Sequence, residues 1–135
     1  MKKLKLSLLV SIIASIIFEA LPYGAVCNFA TPEKTIRTLF SYFDLTPFGY
    51  ANFGPFLTAC LTCILLLLTV LMIISDKPVI NKAATIISVA SIMTSVMPLM
   101  FGVSYYSVIG GIISALMIIQ FVIIMIIKKR GNNEA

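Results

Sequence analysis

The sequence contains no histidine and no tryptophan, only three cysteines, and five acidic residues among 135. Without imidazole there is no Ser-His catalysis, no haem ligation through histidine and no common zinc site. Intramembrane aspartyl chemistry needs two carboxylates facing each other, yet Asp44 and Asp76 flank opposite ends of a long apolar run. A phosphate-cradling glycine loop is also missing, because Gly110 and Gly111 lie inside another apolar run with no lysine after them. Most enzyme classes are excluded by these absences, and the chain reads as non-enzymatic, with no cofactor and no metal.

What the sequence does contain is apolar length. Hydrophobic residues make up 60% of the chain and charged residues 11%, and the mean hydropathy is +1.08, far from the composition of soluble domains. Four runs, at about 4–23, 53–75, 79–101 and 104–127, each meet the roughly 20 residues needed to cross a hydrocarbon core. The expected fold is all-α: a single membrane domain over 1–135, an antiparallel up-down bundle of four transmembrane helices with an ordered outer loop at 24–52. The first run also resembles a secretory signal, but Glu19, Leu21, Pro22 and Tyr23 make a poor cleavage site and Val26 a poor lipoprotein signal before Cys27. Retention as a first spanning helix is therefore expected.

Basic residues set the expected orientation. Lys2, Lys3 and Lys5 precede the first run, Lys77 and Lys82 flank the link between the second and third, and Lys128, Lys129 and Arg130 follow the fourth. Only Lys34 and Arg37 fall in the loop after the first run. Both termini are thus expected in the cytoplasm, with the protein in the cytoplasmic membrane. The net charge of +5 follows from this asymmetry and gives no reason to invoke nucleic acid.

Helices in lipid associate through small residues and interhelical hydrogen bonds, and every run carries such a stripe: Ser7, Ser11, Ser15 and Glu19 with Ala14; Gly54, Thr58, Thr62 and Thr69; Ala84, Ser88, Ser91, Ser95 and Gly102. The fourth run has two neighbouring lines, Ser107-Gly111-Ala115 and Gly110-Ser114. "SDKP" at 75–78 and "NFGP" at 52–55 each combine a capping side chain with a proline in the first turn of the next helix. Pro98 is expected to bend the third helix.

The aromatics are one-sided. Apart from Phe121, every Phe and Tyr lies in the half of the chain expected outside or in the outer leaflet. An interfacial belt accounts for Tyr23, Phe53, Phe101, Tyr105 and Tyr106 but not for "SYFDLTPFGYANFGPF" at 41–56. In the preceding stretch, "AVCNFA" and "TIRTLFSYF" around the turn "TPEK" describe a β-hairpin. Thr31 as cap, with Ile36, Leu39, Phe40 and Phe43 at helical spacing, describes a short amphipathic helix instead. Phe43, Phe48, Tyr50, Phe53, Tyr105 and Tyr106 are the candidate binding residues, either as a lid on the bundle or as a recognition surface for membrane lipid, a cell-surface glycan, another membrane protein or a second copy of the chain.

Two polar residues lie inside apolar runs. Glu19 is the only acid there, a functional candidate by default; it is expected either to pair with Arg37 or Lys34, to cap loop amides beneath the aromatic lid, or to serve a small oligomeric proton- or cation-coupled transporter. The small multidrug-resistance transporters also place a carboxylate in their first span, but with short links where this chain has a long loop. Gln120 is expected to hydrogen-bond between helices. Cys60 and Cys63 form "CLTC", which resembles the Cys-x-x-Cys of bacterial disulfide-forming membrane oxidoreductases; that likeness implies thiol oxidation at Cys60 and Cys63 with quinone as acceptor. Those enzymes carry a second cysteine pair in the other outer loop, where this chain has "GVSYYS", and plain packing of Cys60 and Cys63 is the alternative. "LPYGAVCNFA" together with "SYFDLTPFGYANFGP" resembles small four-pass membrane proteins of low-GC Gram-positive bacteria, a likeness that implies no activity. The leading expectation is an interaction or accessory subunit that uses its aromatic extracellular loop.

Overall fold

The computed structural model describes residues 1–45, 52–75 and 77–133. Phe48 and Tyr50 lie outside the described residues. Helices dominate: α1 (Lys2–Ala20), α2 (Phe53–Ile74), α3 (Pro78–Val96) and α4 (Val108–Asn133), with a hairpin of β1 (Ala25–Ala30) and β2 (Thr35–Phe40) between α1 and α2. Three helical segments, Phe53–Ile74, Pro78–Phe101 and Val108–Gly131, are long and apolar enough to cross a membrane. The α1 segment carries Lys2, Lys3, Lys5 and Glu19 in 19 residues.

Each helix packs on the next, and α4 closes back on α1. Consecutive helices run in opposite senses. Thr58 near the start of α2 meets Thr94 near the end of α3, and Lys5 at the start of α1 donates to the Met72 carbonyl near the end of α2. The interior holds two apolar clusters. Leu8, Ile12, Leu65, Met72, Ala84, Ile124 and Ile127 fill the end nearer the chain termini, whereas Ala25, Tyr42, Ala59, Ile113 and Met117 fill the end under the hairpin.

The helix boundaries depart from the apolar runs for local reasons. The first helix stops at Ala20 and Leu21 turns extended (φ −67°, ψ 138°), because Pro22 disfavours helix in the residue before it. Pro98 does not bend α3 but ends it: the chain tightens into a 3₁₀ turn at Met97–Phe101, and Gly102 then takes φ +122°, a conformation open to glycine and strained for other residues. A second 3₁₀ turn, Val103–Tyr105, leads to α4, which starts at Val108 and runs past Ile127 to Asn133. At the expected caps, Pro78 does occupy the first turn of α3 but the cap residue is Lys77. Asn52 stands at the α2 cap position without capping it, its amide donating instead to the Asp44 carbonyl at 3.2 Å.

Of the two readings of the loop, the hairpin is the one formed. Ala25 pairs with Phe40 and Ala30 with Thr35 in antiparallel register. Thr31 closes the turn twice: its amide donates to the Lys34 carbonyl at 2.9 Å, and its hydroxyl accepts from the Lys34 amide at 3.2 Å. Such side-chain bonds back to the local backbone favour turns over helix at Ser, Thr, Asn and Asp.

Candidate functional site

The small-residue stripes converge on a polar belt inside the bundle. Four side-chain hydrogen bonds, one for each pair of adjacent helices, close it. Thr62 Oγ1 donates to Glu19 Oε1 at 2.7 Å, joining α1 to α2. Thr58 Oγ1 donates to Thr94 Oγ1 at 2.9 Å between α2 and α3. Ser114 Oγ donates to Ser95 Oγ at 3.1 Å between α4 and α3, and Gln120 Nε2 donates to Ser15 Oγ at 2.7 Å between α4 and α1. Hydroxyls suit this role because those that accept an interhelical bond donate their own proton to their own helix backbone, Thr94 to the Ser91 carbonyl, Ser95 to the Ile92 carbonyl and Ser15 to the Ser11 carbonyl. No long side chain has to be ordered.

Above the belt, the hairpin is seated by Tyr42. Its ring is 1% exposed and lies so close to Gly24 that a Cβ there would come within 2.8 Å of it, which explains the glycine. The Tyr42 amide donates to the Glu19 carbonyl at 2.9 Å, and the Ser41 hydroxyl donates to the same carbonyl at 3.1 Å. The C-terminal end of α1 thus has its free carbonyl satisfied by the segment that follows the hairpin. On the other flank Ser107 Oγ donates to the Gly24 carbonyl at 2.6 Å and accepts from the Gly110 amide at 2.8 Å. Burial, with the nearby Tyr106 and Glu19 adding to it, pushes the Tyr42 hydroxyl well above the usual tyrosine range.

The expected site residues separate into three groups. Glu19 and Gln120 are both 0% exposed and belong to the belt. Phe43 and Phe53 are exposed. Tyr105 and Tyr106 are half-buried; Tyr105 stacks obliquely on Phe101 with ring centroids 6.2 Å apart, and the Tyr106 hydroxyl lies 2.6 Å from Ser114 Oγ. Tyr106 is therefore part of the belt's edge as well as of the surface. The expected pairing of Glu19 with Arg37 is not formed: Arg37 is exposed and donates to the Tyr106 carbonyl at 3.5 Å, while Glu19 turns inward to Thr62. A helical residue four after Ser15 must face as Ser15 faces, toward the bundle axis and away from the hairpin surface.

All three cysteines are free thiols. Cys60 is exposed on the apolar flank of α2, Cys63 is half-buried, and Cys27 is buried in β1. Burial pushes the Cys27 thiol up, opposed in part by its hydrogen bond with the Asn52 backbone; a raised thiol is a slow nucleophile.

The fourth helix presents its two small-residue lines to different surroundings. Gly110 and Ser114 are buried, and a Cβ on Gly110 would lie 3.2 Å from both Ser107 Oγ and the Tyr42 hydroxyl. Gly111 and Ala115 face outward and line an open groove with Val103, Tyr106, Val108 and Ile112. This groove continues past Ser107 and Val108 into a hollow of about 330 Å³ bounded by Tyr23, Arg37, Leu39 and Ile109. Tyr42, Thr62 and Ser114 were not singled out as site residues from the sequence. For Thr62 and Ser114 the signal was present in the stripes; for Tyr42 nothing separates it from its aromatic neighbours before the fold places it. No family model, curated protein or solved structure matches this chain.

Proposed function

We propose that this protein is a non-enzymatic interaction subunit of a membrane assembly, and that it engages another membrane-spanning helix through the groove along α4 and the hairpin. In this reading all four helices span the bilayer, α1 included. The lysines at the termini and at the α2–α3 link lie in the cytoplasm, following the positive-inside rule, and the hairpin lies outside.

The observation that carries the reading is the outward placement of Gly111 and Ala115. A small-xxx-small line lets two helix backbones approach closely, and in lipid that approach is a main source of helix association. Within the bundle the corresponding role is already taken by Gly110 and Ser114, with Ser107 bonded inward to Gly24, so Gly111 and Ala115 have no internal use. Above it, Arg37, Tyr23 and Leu39 in the adjoining hollow offer a cation and apolar walls to the end of the same partner helix. Phe43 and Phe53, both exposed, belong to the wider outer surface in this reading.

A photo-crosslinking amino acid placed at Ala115 or Leu39 in native membranes tests it. Discrete protein adducts at these two positions, and none at the exposed Leu67 or Ile86, are expected. Lipid adducts alone at all four positions would remove the proposal. Adduct mass separates a second copy of the chain from a different partner.

A further inference from the structure

Two fully buried acceptor oxygens in the belt have no hydrogen-bond partner: Glu19 Oε2 and Gln120 Oε1. Both residues are 0% exposed. A carboxylate removed from water is costly unless a positive charge compensates it. Lys5 donates to the Met72 carbonyl, Arg37 donates to the Tyr106 carbonyl, and Lys34 is exposed at the hairpin turn. Thr62 compensates little, because its one hydroxyl proton is shared between Glu19 Oε1 and the Thr58 carbonyl.

Helix geometry brings the two residues that carry the orphaned oxygens toward one level of the bundle. Gln120 is held on Ser15 Oγ and on the Ser11 carbonyl, and Glu19 follows Ser15 by four residues, on the same face of α1. Side chains on a helix lean toward its N-terminus, so the Glu19 side chain covers the turn to which Gln120 is bonded. The polar atoms gathered there are a carboxylate, an amide carbonyl and the hydroxyls of Ser15 and Thr62. Oxygen donors of this kind select hard cations, whereas softer transition metals call for imidazole or thiolate. Among the described residues no cluster of three His, Cys, Asp or Glu occurs. A single carboxylate balances one positive charge, while calcium sites typically gather several carboxylates.

The geometry points to a monovalent-cation site inside the bundle, for sodium, with Glu19 Oε2 and Gln120 Oε1 as principal ligands and the Ser15 and Thr62 hydroxyls beside them. The ion supplies the charge that Glu19 lacks and ties α1 to α4 at the belt. This site is independent of the proposed helix partner, since none of its ligands faces the outer groove. A proton on Glu19 is the competing occupant.

Thermal unfolding of the full chain in detergent, with sodium chloride replaced stepwise by choline chloride at constant ionic strength, tests the site at two pH values. Saturable sodium-dependent stabilisation, on the order of 5 °C at saturation, is expected, with the sodium-dependent part lost in Glu19→Gln and reduced in Gln120→Leu. The exposed Ser7→Ala variant should retain it. Because the readout is the difference between the two salts, a change in the variants' absolute stability does not obscure it. Should Glu19→Gln fail to fold, binding of radioactive sodium to the wild-type chain, competed by unlabelled sodium and not by choline, decides instead. A melting temperature indifferent to sodium, or a sodium effect that survives in Glu19→Gln, overturns the proposal; so does stabilisation that follows pH alone, which would assign the site to a proton.

Discussion

Thr62 Oγ1 and Glu19 Oε1 lie 2.7 Å apart inside the bundle, where neither residue has solvent-exposed surface. This bond joins α1, the least apolar of the four helices, to α2. Thr62→Val removes the donor and leaves the carboxylate with less support, and a loss of about 1–3 kcal/mol is expected. A double-mutant cycle with Glu19→Gln, followed by unfolding in mixed micelles, should return a coupling on the order of 1 kcal/mol. A coupling of zero would mean that the two residues do not meet in the folded protein.

The adjacent glycines of α4 should respond differently to alanine. A Cβ on Gly110 meets Ser107 Oγ and the Tyr42 hydroxyl, whereas one on Gly111 meets only the Tyr106 ring, at 3.7 Å. Gly110→Ala is expected to cost about 1–3 kcal/mol through overcrowding. Gly111→Ala should stay within about 0.5 kcal/mol, and the larger Gly111→Leu should leave the fold intact while blocking the crosslink expected at Ala115. Melting temperatures of the three variants check this ordering.

Tyr42 should carry both packing and alkaline sensitivity. Replacing its buried ring by alanine is expected to cost about 3–5 kcal/mol. Its hydroxyl is held above the usual range chiefly by burial, so the folded state keeps the proton where an unfolded tyrosine gives it up. The associated stability is fully present below the usual value of about 10 and declines as pH rises above it. Tyr42→Phe should therefore show a shallower loss of stability above about pH 10 than the wild type, measured as melting temperature against pH.

The three thiols should separate by access. Cys27 is buried with a raised thiol, and a water-soluble maleimide should label it at least tenfold more slowly in the folded chain than after denaturation. Cys60 and Cys63 should both be recovered as thiols from freshly prepared membranes. Mass spectrometry showing a stable fraction with Cys60 and Cys63 joined would reopen thiol oxidation as the activity.

Much of the interior was legible in the order of residues. In α2 and α3, Thr58, Thr62, Thr69, Ala84, Ser88, Ser91 and Ser95 are all buried, as their spacing demands, because a helix repeats every 3.6 residues and a polar stripe must face its own kind. The hairpin was half legible: its strand residues and turn were evident, but the same stretch also fitted a short helix until Thr31 closed the turn on Lys34. The cap at Asn52 and the pairing of Glu19 with Arg37 were misread for one reason. Both assigned a polar side chain to the nearest partner along the chain, and the fold supplied partners from farther away, Asp44 for Asn52 and Thr62 for Glu19.

The sequence by itself determined that the chain is apolar enough for a membrane, that four helical segments alternate with short links and one long loop, and which face of α2 and of α3 turns inward. These are local consequences of hydropathy and helical period. Only the tertiary structure decided which of the two small-residue lines on α4 is buried, which aromatic fills the space under the hairpin, and that Glu19 and Gln120 share a sealed polar belt. Each of those depends on the rotation of one helix about its axis relative to its neighbours. That rotation is fixed by packing among residues distant in sequence, such as Tyr42 against Gly24 and Gln120 against Ser15, and is not encoded in any single segment.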